Sequence, residues 1–157
     1  MNSDKPWTRF APRRENILKM LHAVQKDAAS TSYVDDDELA GIAEYLDISL
    51  AEASGVLSFY QAFSRKPRGR HVIRLCDSLS CRISDSLEVY RAFRRHLGVG
   101  RNETTRDGQF TLEIVNCLGS CDTAPNVMID DTLYTHVKAA DVELILSEVI
   151  AAQEEAV

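Results

Sequence analysis

The 157-residue chain contains no G-x-G-x-x-G and no G-x-x-x-x-G-K-[ST] pattern, so nothing in it marks a nucleotide or flavin site. Gly98-Val99-Gly100 is too short and follows a helical pattern, the wrong context for a phosphate loop. No stretch approaches the roughly eighteen apolar residues of a membrane span. The opening residues Met1-Asn2-Ser3-Asp4-Lys5-Pro6-Trp7 carry no apolar run of a secretory signal, and a cytoplasmic location is expected. An excess of positive charge is missing too: Lys and Arg number 18 against 24 Asp and Glu, a formal net charge of −6, which argues against nucleic acid as the main partner. No Ser-His-Asp set and no carboxylate pair suggests catalysis. His22, His71, His96 and His136 are scattered and read as surface or packing histidines. There is no C-x-x-C, which removes the usual thiol oxidoreductase motif.

What is present suffices for a folded core, since 45% of residues are apolar and 27% charged. Residues 1–13 read as a flexible arm. Ile17, Leu18, Leu21 and Val24 recur at helical spacing, which predicts a helix over 14–26, and residues 28–32 read as a break. Asp35 with Glu38 is a capping signature ahead of Leu39, Ile42, Ala43 and Leu46. Ser49 with Glu52 repeats it ahead of Ala53, Val56, Leu57 and Tyr60. Residues 14–64 are therefore expected as a small helical bundle, with the aromatic run from Phe59 to Phe63 chiefly in its core. The basic stretch 65–70 reads as a linker. From residue 71 the period changes. His71 to Leu75 reads as a strand, 84–97 as a helix ended by glycine, Phe110 to Val115 as an alternating strand, and 127–129 with 132–134 as a hairpin. Asp141 is expected to cap a last helix. The order is β-α-β-β-β-α, an α/β unit over 71–157.

All four cysteines fall into two pairs within that unit: Cys76 and Cys81 as C-x4-C, Cys117 and Cys121 as C-x3-C, with 35 residues between. Each pair directly follows a predicted strand, so two adjacent strands would bring both pairs to one sheet edge. In a reducing compartment such pairs read as metal ligands rather than disulfides. Four thiolates in two pairs suit the two tetrahedral irons of a [2Fe–2S] cluster. Gly119 lets the backbone come close to the cluster. A structural zinc site would also take four thiolates, though usually from tighter pairs, and spacing alone leaves that alternative open. The stretch Arg65 to Arg74 reads as a solvated linker or, more sharply, as a docking strip for an acidic partner.

Gly69-Arg70-His71-Val72-Ile73-Arg74-Leu75-Cys76-Asp77-Ser78 with Cys81, followed by Cys117-Leu118-Gly119-Ser120-Cys121-Asp122-Thr123-Ala124-Pro125-Asn126-Val127-Met128-Ile129-Asp130, resembles the thioredoxin-like [2Fe–2S] ferredoxin subunit of the NADH-oxidising module of respiratory complex I. That family is shared with NAD-reducing and electron-bifurcating hydrogenases and NAD-dependent formate dehydrogenases. Phe59-Tyr60-x-x-Phe63 and Thr104-Thr105-x-Asp107-Gly108-x-Phe110 belong to the same likeness. The resemblance implies a thioredoxin-like [2Fe–2S] domain preceded by a small helical bundle. It carries ligation of one [2Fe–2S] cluster onto Cys76, Cys81, Cys117 and Cys121. It further implies an electron-transfer subunit of complex I type with no substrate site of its own, held by a flavoprotein partner that binds FMN, NADH and a [4Fe–4S] cluster. In that case the chain would lie on the membrane only through its complex. Asp122 stands where many hydrogenase-type relatives have glycine, which favours the complex I branch. A hydrogenase or formate dehydrogenase small subunit is the alternative, a zinc-stapled adaptor the remote one.

Overall fold

The computed structural model describes residues 5–27 and 32–154, the side chains of 153 and 154 excepted. It divides into two compact units, Met1–Arg70 and His71–Val157. Among the described residues no helix is long and apolar enough to cross a membrane.

The first unit packs three helices, α1 (Ile17–Asp27), α2 (Asp36–Leu46) and α3 (Leu50–Phe59). Their buried faces supply Ile17, Leu21, Val24, Leu39, Ile42 and Leu57, residues whose spacing predicts the helices. The start of α2 is fixed as the sequence requires: the Asp35 carboxylate accepts from the Glu38 N–H at 2.7 Å while Glu38 accepts from the Asp35 N–H at 3.1 Å. The Ser49 hydroxyl accepts from the Glu52 N–H at 3.1 Å and opens α3.

Three expectations fail in this unit. The arm is folded in its described part: Pro6–Arg9 form a 3-10 turn, and Trp7 is buried at 3% exposure in the helical core. Its ring lies against Gly41, where an added Cβ would stand 2.6 Å from a ring carbon. The Tyr45 hydroxyl donates to the Phe10 carbonyl at 2.9 Å and ties down the end of the segment. A lone indole has no periodic neighbours, so no pattern announces its burial. The aromatic run is not a core stripe either, because α3 ends at Phe59, which is 78% exposed, and only Phe63 is buried. Finally, residues 65–70 are not a solvated linker throughout. Arg68 is 4% exposed and donates to the Ala62 carbonyl at 3.2 Å. The break at 28–32 falls, apart from Ser32, outside the described residues.

The second unit is a five-stranded sheet with helices: β1 (His71–Cys76), α4 (Leu79–Ile83), α5 (Ser86–Leu97), β2 (Glu103–Thr104), β3 (Phe110–Val115), β4 (Val127–Ile129), β5 (Thr132–Tyr134) and α6 (Val142–Glu154). The spatial order is β2-β3-β1-β4-β5. β1 and β3 run parallel with His71 opposite Phe110 and Cys76 opposite Val115, while the other pairings are antiparallel. A parallel pair needs a long crossover, and α5 supplies it. Val72, Ile73, Leu75 and Cys76 are all buried instead of alternating, so β1 is covered on both faces as well as paired on both edges. The core forms around Ile73, Leu75, Val89, Phe93, Leu112 and Val127.

Periodicity misses β2 and α4, both too short to show a period. It also misplaces Asp141, which ends a 3-10 turn over Ala139–Asp141 and accepts from the Lys138 N–H at 2.8 Å before α6 begins. Gly98 ends α5 in the left-handed region at φ 68°, the helix stop its residue type suggests.

Candidate metal centre

The register of β1 and β3 is the fact from which the site follows. Cys76 is the last residue of β1 and lies opposite Val115, the last residue of β3. Because the strands are parallel neighbours, the segments leaving both of them start at one end of the sheet. The Asp77 N–H donates to the Val115 carbonyl at 2.9 Å and extends the pairing one step into the first of these segments.

Cys81 reaches the site from α4, whose turn is closed by the Arg82 N–H donating to the Ser78 carbonyl at 2.9 Å. The first pair therefore does not simply follow its strand. Cys76 ends a strand and Cys81 sits in a short helix, and each is 1% exposed. Cys117 and Cys121 are exposed. Their sulfur atoms are 3.8 Å apart across a turn that Gly119 makes at φ 84°, and the Gly119 N–H donates to the Cys117 sulfur at 3.3 Å. A tetrahedral metal with metal–sulfur bonds of about 2.3 Å spans two thiolates about 3.8 Å apart, so this pair already has the width of one ligand edge.

Among the described residues no three His, Cys, Asp or Glu side chains converge on a single ion position. The thiols are arranged as two pairs, which is what a two-iron cluster asks of its ligands and a single zinc does not. The inner pair shares its protons unequally. Burial pushes the Cys76 thiol up, but hydrogen bonds from the Ser78 N–H, from Cys81 and from the Leu118 N–H outweigh it, and the net shift is down. Cys81 is pushed up to about 11, first by burial, against a hydrogen bond from the Asn126 N–H, with Cys76 and Cys121 adding to the rise. The Cys121 thiol is raised by its neighbour Cys117. Each cysteine is thus electrostatically or geometrically tied to at least one other, and Cys76, Cys81 and Cys121 interact across the two pairs.

Two supports of the site lie in the cysteine-bearing motifs, but spacing gives neither of them a role. Asn126 is buried and joins three segments: its main-chain carbonyl accepts from the Cys76 N–H at 3.2 Å, its amide donates to the Ser120 carbonyl, and its side-chain oxygen accepts from the Thr123 hydroxyl at 3.0 Å. Asp77 bridges Arg82 at 3.2 Å and Arg101 at 3.5 Å. Two of the histidines have partners other than the thiols. His71 pairs with Asp130 at 2.7 Å at the start of β1, the opposite end of the strand from Cys76, and the His22 ring packs on Phe63 at 4.7 Å.

A profile of the thioredoxin-like [2Fe-2S] ferredoxin family matches residues 4–150. The E subunit of the NADH-quinone oxidoreductase of Pseudomonas aeruginosa is 41% identical over 135 residues, which cover 86% of this chain and 79% of that protein. Its counterpart of the same designation in Escherichia coli (strain K12) is 40% identical over 126 residues, covering 80% and 74%. Among solved structures, an NAD+-reducing [NiFe]-hydrogenase in the air-oxidised state matches with a TM-score of 0.74 over 92% of this chain. There the likeness is one of fold alone, at 21% identity and over 24% of the hydrogenase chain. A profile that spans both units, relatives near 40% identity and thiol pairs at the ends of parallel strands agree: the chain belongs to the thioredoxin-like [2Fe-2S] ferredoxin family.

Proposed function

We propose that the chain is the [2Fe–2S] electron-transfer subunit of an NADH-linked oxidoreductase of complex I type, with Cys76 and Cys81 on one iron and Cys117 and Cys121 on the other. The observation that carries this reading is the convergence of two thiol pairs at one end of β1 and β3. The cluster, when bound, accepts and returns one electron. The chain's own residues hold it and set its surroundings. β1 and α4 keep the inner thiols away from water, and the amides of Ser78, Leu118, Gly119 and Asn126 donate toward sulfur, which stabilises the thiolate charge. Nothing on the chain marks a substrate or flavin site, so FMN, NADH and a [4Fe–4S] cluster belong, in this reading, to a flavoprotein partner. Relatives named as parts of NADH-quinone oxidoreductase support complex I over a hydrogenase as the parent assembly. The chain would then sit on the cytoplasmic side, peripheral to the membrane through its complex.

Anaerobic purification followed by metal and sulfide analysis tests the reading. About two irons and two acid-labile sulfides per chain are expected, with a brown colour and, after reduction, a spin-one-half signal. Cys117→Ala should abolish all three, whereas His71→Ala should leave them intact. A colourless chain holding one zinc overturns the proposal.

A further inference from the structure

Leu79 and Ile83 are 76% and 78% exposed. They stand four residues apart in α4, so both leave the same face of the helix, while Cys81, two residues from each, turns inward. Leu87, 46% exposed, adds a third apolar side chain at the start of α5. A helix of five residues is anchored by what it buries, yet its two largest apolar side chains lie in water.

The stretch of sequence that carries them is also more basic than the rest of the chain, and in α5 Leu87, Arg91 and Arg94 share one face at i, i+4 and i+7. From Asp77 to Arg101 there are five arginines, Arg82, Arg91, Arg94, Arg95 and Arg101, against the acids Asp77, Asp85 and Glu88, in a chain of net charge −6. Arg91 pairs with Glu88, and Arg82 and Arg101 share Asp77. Arg94 and Arg95 are exposed and have no ion-pair partner among the described residues.

We propose that the face formed by Leu79, Ile83 and Leu87 with the arginines of α4 and α5 is the docking surface for the electron partner, and that this partner offers an apolar hollow rimmed by carboxylates. The inference rests on the electron-transfer reading above. A one-electron carrier has to bring its cluster close to a partner's redox group, and α4 carries Cys81, so a protein seated on α4 lies over the ligand segment. Local positive charge in an acidic chain selects an acidic partner surface, and two copies meeting through this same face would set positive charge against positive charge.

The test purifies the tagged full-length chain from its own cells, reading the flavin-containing partner by flavin fluorescence and the cluster by visible absorbance. Leu79→Ser/Ile83→Ser should keep the cluster absorbance and lose more than about tenfold of the co-purifying flavin. Arg94→Glu/Arg95→Glu should weaken flavin retention at low salt, with the difference from wild type shrinking at high salt. Leu144→Ser, which removes another exposed leucine (62%), should change neither reading. Amide exchange in the unmodified complex should show α4 protected relative to the isolated chain. A Leu79→Ser/Ile83→Ser variant that retains both cluster and flavin, or α4 amides that exchange equally fast in complex and isolated chain, overturns the docking face. So does protection of α4 by a dimer of this chain without flavin. Wild-type chain that carries its cluster but never brings a flavin-containing partner instead overturns the electron-partner reading on which the face depends.

Discussion

Cys76 and Cys81 are each 1% exposed, whereas Cys117 and Cys121 lie at the surface of the same end of the sheet. The inner pair is placed by a strand with partners on both sides and by a short helix whose buried contact is Cys81 itself. The outer pair is placed by a turn that depends on Gly119 and on the hydrogen bonds of Asn126. The difference shows that thiols gathered at one sheet end can come half from the rigid core and half from a surface loop. A buried thiolate needs donors to be tolerated; backbone amides supply them to both inner cysteines, outweighing burial at Cys76 but not at Cys81. An exposed thiolate is stabilised by water, and for it the structural demand is geometry.

Four substitutions and one chemical treatment press on that contrast. Phe93→Ala empties the largest fully buried side chain beneath β1, in the cluster that includes Ile73 and Leu75. It should cost about 3–5 kcal/mol in denaturant unfolding and loosen the inner pair most. Asn126→Ala removes two hydrogen bonds, to the Ser120 carbonyl and from the Thr123 hydroxyl, and leaves those two groups bonded to each other. An expected loss of about 1–3 kcal/mol should appear with faster cluster release to a chelator. For Gly119→Ala there is no steric obstacle, since an added Cβ has nothing within 4 Å, but φ 84° opposes it. The cost should be about 1 kcal/mol, read as faster cluster release with unchanged helix content by circular dichroism. If Gly119→Ala instead destabilised the whole unit as much as Phe93→Ala, the outer loop would not be separable from the core. The smallest effect belongs to Cys117→Ala on the cluster-free chain, within about 0.5 kcal/mol of wild type. In the same cluster-free wild type, alkylation followed by mass spectrometry should label Cys117 and Cys121 more than about tenfold faster than Cys76 and Cys81.

Much of this was legible in the residues. The Asp35–Glu38 box, the Ser49 cap and the apolar faces of α1 to α3 depend on contacts within a few residues, and the sequence shows them directly. The apolar run of β1, the alternation of β3 and the stop at Gly98 are equally local. Trp7 was not legible, because its burial comes from packing on Gly41, 34 positions away by their numbers. Nor was Arg68, whose long side chain reaches the Ala62 carbonyl while the charged residues Arg65, Lys66 and Arg70 are exposed. α4 escaped because five residues carry too little period to distinguish a helix from a loop.

By itself the sequence determined the set of thiols and their grouping: four cysteines in two pairs, each pair at or just beyond the end of a strand. Spacing along the chain carries that information because each pair spans only a few residues. The tertiary structure decided that β1 and β3 are parallel neighbours in register, so that pairs 35 residues apart meet at one sheet edge. It also decided which pair is buried, since burial is set by strands and helices packing from elsewhere in the chain, and no local pattern records their arrival.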